Sequence, residues 1–283
     1  TFRFVNVNWL SQGLFYAAWK AGGWVGLSLL TAILVAAITG LLIRFLLRCG
    51  VTPIYVAAVL LLAAVTSTSR FELRPELLTY LLLACLLNLL RPFYMDRDAH
   101  LSSKTVFGVL LLQVLLVNSH SFFLLGWILT GVLLGGAIVR WIFAAAQQQD
   151  TALARRQTAG FSGLLGGQLA VSFLNPWTWR AVVMPFEMLW FFHKNPLVSN
   201  SQPGDNVNPL SFIGELYHPF TDGVFLESPA TYALLAVLIL AGIGAIFAVA
   251  KGKPGLALGI IILFYITLSM RRNIAIGGLI LLP

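Results

Sequence analysis

The sequence predicts an all-α, polytopic integral membrane protein. Of its 283 residues, 59% are hydrophobic and 10% are charged, whereas a soluble domain carries about 25% charged residues. The mean hydropathy is +0.88. Apolar runs long enough to enter a bilayer recur along the whole chain, and short loops between them hold most of the charge. The net charge of +8 suits basic cytoplasmic loops, and so little soluble surface excludes nucleic acid as a partner. Cys49 and Cys85 lie within or beside apolar runs, which implies neither a disulfide framework nor a metal cluster. No His/Cys/Asp spacing supports a protein-only metal cage, so a divalent ion or other cofactor stays undefined by the sequence.

In chain order, residues 1–8 read as the tail of a loop. Residues 9–20 (WLSQGLFYAAWK) carry aromatics on one side and polar groups on the other, which predicts a short helix in the membrane interface. Residues 22–47 form a full span ending at Arg44 and Arg48. Pro53 opens the next, 54–69. Then comes Ser69-Arg70-Phe71-Glu72-Leu73-Arg74-Pro75-Glu76, four charged residues between two apolar runs. Charge beside hydrocarbon is costly and marks a membrane boundary or a wet cavity, although a solvated connector has the same composition. Residues 77–90 return and are stopped by Arg91-Pro92. Residues 105–117 cross again, Asn118-Ser119-His120-Ser121 interrupts, and 122–139 cross back.

After the polar loop 147–158, residues 161–174 form a Gly-rich run of the kind membrane helices tolerate. Asn175-Pro176-Trp177 opens the longest non-spanning region, 175–228, expected to pack on the membrane face inside a single transmembrane domain, 1–283. Residues 232–250, 255–270 and a partial 274–283 complete about nine transmembrane helices. The last of these has about half of the roughly 20 residues a span needs. No signal-peptide pattern is present at the start, and the expectation is a chain that begins within a loop and stops within a helix.

Sorted by alternate crossing, one face collects Arg44, Arg48, Arg91, Arg97, Lys104, Arg140, Arg155, Arg156, Lys251 and Lys253. The other collects Arg3, Lys20, Arg70, Arg74, Arg180, Lys194, Arg271 and Arg272. The first is cytoplasmic by the positive-inside rule. Membrane insertion gives no reason for the arginines on the second face. A guanidinium grips phosphate oxygens with two parallel hydrogen bonds, and Asn118, His120 and the run Asn175-Pro176-Trp177-Thr178-Trp179-Arg180 join the set. A basic, aromatic-edged cavity there fits an anionic lipid head group, in particular a phosphate on a polyprenyl tail. The plainer alternatives stay open. Arg271 and Arg272 also suit snorkelling at a helix end, His120 a hydrogen-bonded helix end, and Trp177, Trp179 and Trp190 an interfacial belt.

Five motifs, WLSQGLFY, RFELRPELLTYLLLA, VNSHSFFLLG, SFLNPWTWR and SMRRNIA, fall in an order that resembles bacterial multi-spanning glycosyltransferases of the GT-C superfamily. The likeness is to the dolichyl-phosphate-mannose-mannosyltransferase-like branch and covers nearly the whole chain. Where that pattern reads Asn-x-His-Gly-Gly-Phe, Ser121 and Phe122 replace the two glycines. The resemblance implies an enzyme that transfers a sugar from a polyprenyl-phosphate donor to an acceptor outside the bacterial inner membrane. Its site would face the periplasm. It also implies that Arg70, Arg74, Arg271 and Arg272 lie near the donor phosphate, with His120 catalytic. Asn118, Trp177, Arg180 and Glu215 would border the cavity, and the segment Glu215-Leu216-Tyr217-His218-Pro219 would cover it. Such enzymes place an acid in the first outer loop, yet no acidic residue precedes Glu72. Either that acid lies upstream of Thr1 or it has been lost, and Glu72, Glu215 and Asp222 are then the candidate substitutes for the general base. The alternative function is a non-catalytic scaffold subunit that packs against partner chains and membrane lipids. A transporter or flippase is disfavoured by few interior charges and no paired repeats.

Overall fold

The computed structural model describes residues 5–67, 72–96, 98–194, 228–269 and 273–278. They are almost entirely helical, with no strand among the described residues. The helices are α1 (Trp9–Arg48), α2 (Pro53–Ser67), α3 (Pro75–Met95), α4 (Ser103–Ser119), α5 (Leu124–Ala146), α6 (Ala152–Val171), α7 (Trp179–Lys194), α8 (Pro229–Ala250) and α9 (Pro254–Ser269). A 3-10 turn, Ser121–Phe123, joins α4 to α5, and a single helical turn, Ile274–Ile276, follows α9. The starts obey local chemistry. Pro75 and Pro229 open α3 and α8, where a missing N–H costs nothing, and the Ser102 and Ser228 hydroxyls accept the Thr105 and Thr231 amides.

Four helices are long and apolar enough to cross a membrane: α1, α3, α8, and α5 taken with the 3-10 turn before it. α2 and α4, with 15 and 17 residues, rise only about 22 and 25 Å at 1.5 Å per residue, short of a hydrocarbon core of about 30 Å. Trp24, Ile33, Ile54, Ile239, Ile246 and Tyr265 point outward and exposed. Apolar side chains all round the outside of a bundle are what lipid, not water, requires.

Contacts close the helices into a ring in the order α1, α2, α8, α9, α5, α6, α4, α3 and back to α1. A further contact between α3 and α5 crosses the ring and divides it into two lobes. In the α3–α4–α5–α6 lobe, Leu86, Leu90, Val109, Leu116 and Phe123 are fully buried. The second lobe, bounded by α1, α2, α8, α9, α5 and α3, is looser. Its α5–α9 crossing is close because both helices present glycine. A Cβ on Gly255 would sit 2.5 Å from the Gly136 Cα and 3.0 Å from the Val132 carbonyl oxygen, a backbone approach that only small residues permit.

The loops gather at two ends. At one, Arg91 donates to the Arg48 carbonyl at 2.8 Å, Lys253 to the Tyr94 carbonyl at 3.4 Å, and Arg140 to Gln157 Oε1 at 2.9 Å. At the other, Ser11 Oγ lies 3.3 Å from the Pro75 carbonyl and 3.1 Å from that of Ser119, while Trp9 Nε1 donates to Asn118 Oδ1 at 2.8 Å.

Two features refine the sequence reading. α1 is a pair of helices joined at a corner, where Gly22 (φ −152°, ψ 17°) and Gly23 (φ 55°, ψ −137°) leave helical geometry. The corner brings Gly26 so near that a Cβ there would collide with the Ala18 carbonyl. The piece before the corner is helical, as expected for 9–20, with Tyr16 and Trp19 outward. Its polar Ser11, however, turns inward and is buried. The second feature is α7, which makes the opening of the expected loop 175–228 helical. Ala181 and Met184, joined by Met188, lay one apolar edge on Val5, Val7 and Trp177. This i, i+3, i+7 spacing holds the helix despite Pro185 in its interior.

The corner yields a stability prediction. Gly23→Ala places a side chain at a positive φ that L-residues avoid and lowers stability by about 1–3 kcal/mol. Gly13→Ala, in an ordinary helical position with open space around it, is neutral or stabilising by up to about 1 kcal/mol. Thermal unfolding of the two variants in detergent checks the pair.

Candidate functional site

The end of the bundle where α3 begins and α4 stops carries its most deeply placed charges. Arg74 is the extended residue before α3, with φ −129° and ψ 152°, and Glu76 lies in the first turn. There the exposed amides favour a carboxylate. His120 closes α4 and opens the 3-10 turn in one extended residue, φ −169° and ψ 158°. Its Nδ1 accepts the Phe122 amide at 3.2 Å. That assigns the proton of a neutral ring to Nε2, and Nε2 faces Glu76 Oε1 at 3.8 Å. The separation is electrostatic contact but too long for a direct hydrogen bond. Both residues are buried, each about 9% exposed. The Phe122 ring packs against His120 at 4.4 Å between centroids, and Thr79, on the following residues of α3, is fully buried.

Glu72 takes a different place from Glu76. Its side chain is 65% exposed, and Oε2 accepts from Arg74 Nε at 3.2 Å and from a terminal nitrogen at 3.0 Å. An exposed pair of this kind contributes only about 0–1 kcal/mol. Among the described residues, the acid against His120 is therefore Glu76. Sequence reasoning had it in view within the charged stretch but assigned chemistry to Glu72. The available signal was its position directly after Pro75, which marks a helix start and so a first-turn carboxylate.

A polar lattice beneath the pair fixes His120. Gln113 Nε2 donates to the Phe123 carbonyl in the 3-10 turn at 3.3 Å and to Ser172 Oγ at 3.1 Å. Gln168 Nε2 reaches Gln113 Oε1 and the Gly126 carbonyl, both at 3.3 Å. Trp127 Nε1 donates to Ser172 Oγ at 3.2 Å. Gly126 has no side chain because a Cβ there would strike Gln113 Oε1. Gln113 and Gln168 are fully buried, and both stand inside runs read from sequence as plain apolar spans.

The remaining expected residues are distributed as follows. Asn118 is consumed structurally, accepting from Trp9 and donating to the Val114 and Leu174 carbonyls at 2.7 and 2.9 Å. It also borders a surface groove of about 580 Å³ with Trp9, Phe173 and Pro176. Trp177 donates its amide to Asn175 Oδ1 at 2.9 Å and packs under α7. Arg180 is exposed and stacks its guanidinium over Trp179, 5.8 Å from the ring centroid. Arg70, Arg271, Arg272, Glu215 and Asp222 lie outside the described residues. Gly278 packs on Thr66 and Ser67 at the end of α2. No group of three His, Cys, Asp or Glu side chains able to hold a metal ion occurs among the described residues. Comparison with protein families, with curated proteins and with solved structures finds no match to this chain.

The lattice carries its own prediction. Gln113→Leu strands the Phe123 carbonyl and Gln168, and destabilises by about 1–3 kcal/mol. Combined with Gln168→Leu, the loss is smaller than the sum of the two singles, which a double-mutant cycle on thermal unfolding measures.

Proposed function

We propose that the protein is a membrane glycosyltransferase that moves a sugar from a polyprenyl-phosphate donor to an acceptor on the non-cytoplasmic face of a bacterial inner membrane. The observation that supports it best is the buried Glu76–His120 pair with Arg74 beside it, at one end of an apolar bundle. In this reading the shorter helices α2, α4 and α9 cross together with the four long ones. Residues 161–174 and 274–283 complete the expected nine spans, and the site opens to the periplasm.

Transfer needs a base, a cation for the leaving group and a fixed donor. A carboxylate, with Glu72 the exposed candidate, takes the proton of the acceptor hydroxyl. The hydroxyl oxygen bonds to the anomeric carbon, and the bond from that carbon to the donor phosphate oxygen breaks. The polyprenyl phosphate leaves with the electron pair. Arg74, with Arg70, Arg271 and Arg272 as the sequence leads one to expect, offsets that charge. The Phe122 amide on Nδ1 sets the His120 imidazole, whose Nε2 faces the Glu76 carboxylate at 3.8 Å beside this site.

One observation favours the second reading, a non-catalytic scaffold subunit. The Glu76 and His120 side chains are each only 11% exposed, and Ser11 and Asn118 around them are spent on intramolecular bonds.

The full-length chain in proteoliposomes, given a synthetic polyprenyl-phosphate sugar carrying a radiolabel, separates the two. Arg74→Ala weakens donor binding by about 10–100-fold, the loss of one or two charge-assisted hydrogen bonds. Glu76→Gln and His120→Gln lower turnover by about 100-fold or more with folding intact by thermal unfolding. Donor binding unaltered by Arg74→Ala removes the enzyme reading. Absence of any transfer, together with co-purifying partner chains over this end, establishes the scaffold.

A further inference from the structure

The second lobe of the ring encloses a cavity of about 480 Å³, on the scale of ligand pockets, which run to about 300–1,000 Å³. Each bounding helix contributes to it: Phe45 from α1, Val59 from α2, Leu87 from α3, Leu129 from α5, Gly244 from α8 and Ile260 from α9. Protein interiors pack as densely as organic crystals, with few gaps larger than a water molecule, so a space this large is no packing defect. Nor is it a water site. Cys49 and Tyr94 are the lining residues with polar side chains, and the Tyr94 hydroxyl already donates to the Leu129 carbonyl at 2.7 Å. Apolar cavities with so few polar partners stay dry and take apolar guests.

The end of the cavity near Cys49, Tyr94 and Met95 lies where Arg91 and Lys253 project. Both charges act on the Cys49 thiol, and Lys253 Nζ sits 3.4 Å from the Tyr94 carbonyl. Each cation spends one donor on a backbone carbonyl, Arg91 on that of Arg48, and keeps further donors. Among the described residues neither is paired with a carboxylate. A greasy chamber with two cations at its mouth, opening where a membrane surface would lie, has the chemistry of one molecule class. We infer that this cavity holds an acyl chain of an anionic phospholipid whose phosphate is gripped by Arg91 and Lys253. The site is at the end of the bundle opposite Glu76 and His120, and it stands whether or not the glycosyltransferase reading does.

The test uses the full chain, purified in detergent, stripped of lipid and transferred to nanodiscs of phosphatidylcholine alone or with phosphatidylglycerol. Retained lipid is counted by native mass spectrometry after gentle detergent extraction, and stability is read by thermal unfolding. The wild type retains about one phosphatidylglycerol and unfolds at a higher temperature with it than with phosphatidylcholine. Gly244→Phe fills the chamber; a Cβ there meets nothing nearer than Ile260 Cδ1 at 4.0 Å, and thermal unfolding checks that the variant is folded. It loses the retained lipid. Arg91→Ala with Lys253→Ala keeps a retained lipid but lowers the preference for phosphatidylglycerol by about 10–30-fold. The inference is overturned if the wild type holds both lipids alike, if Gly244→Phe retains as much as the wild type, or if inorganic phosphate alone reproduces the stabilisation.

Discussion

Gln113 sits in the middle of a lobe built mostly of leucine, valine and phenylalanine, and hydrocarbon leaves such an amide no water to turn to. It is satisfied only where α4, the 3-10 turn and α6 stand in one relative position, because its donors reach Phe123 and Ser172 while its oxygen takes Gln168. Dispersion alone would let these helices slide against one another at little cost, since lipid tails pack nearly as well as side chains. The amide lattice supplies the register that apolar packing lacks. His120, which immediately precedes and caps the 3-10 turn, inherits its direction toward Glu76 from that register. The tie from Ser11 to Pro75 and Ser119 then locks the start of α3 to the end of α4, which fixes the other half of the pair.

The two lobes answer different demands. The α3–α4–α5–α6 lobe is tightly packed and polar at its heart, suited to holding the buried carboxylate and imidazole of Glu76 and His120 in register. The other lobe reaches across a wider interior and narrows only at the Gly136–Gly255 crossing. α3 and α5 belong to both, so the Glu76 helix and the helix following His120 also wall the chamber.

Much of this organisation was legible in the sequence because hydrocarbon is a strict selector of composition. The apolar runs, the Gly22 break before the first span and the division of loops between two ends follow from where apolar residues, glycine and charge stand, whereas α3 runs through the expected stop at Arg91-Pro92 and ends at Met95 with Pro92 inside its last turn. The pairing of Glu76 with His120 did not, because 44 positions separate them in the chain and only α3–α4 packing brings them together. Nor did Gln113 and Gln168 announce themselves, since one amide within an apolar run reads as tolerated noise until its partner is known. α7 was hidden by Pro185 and by surroundings rich in turn formers, and tertiary contact with Val5 and Val7 overrode those local signals. Arg74 was singled out for its charge, yet its exposed salt link to Glu72 is a property of side-chain reach that residue order does not encode.

The corner at Gly22 and Gly23 has a mechanical result. The rod beyond it, from Trp24 to Arg48, is about 37 Å long at 1.5 Å per residue, longer than a typical hydrocarbon slab, and such a mismatch is relieved by leaning or by local thickening of the bilayer. A lean of that rod swings the short arm in front of the corner, and Trp9 and Ser11 on that arm form the roof over the acid–imidazole pair. The Gly22–Gly23 corner is thus the joint between the long rod and the arm that carries Trp9 and Ser11.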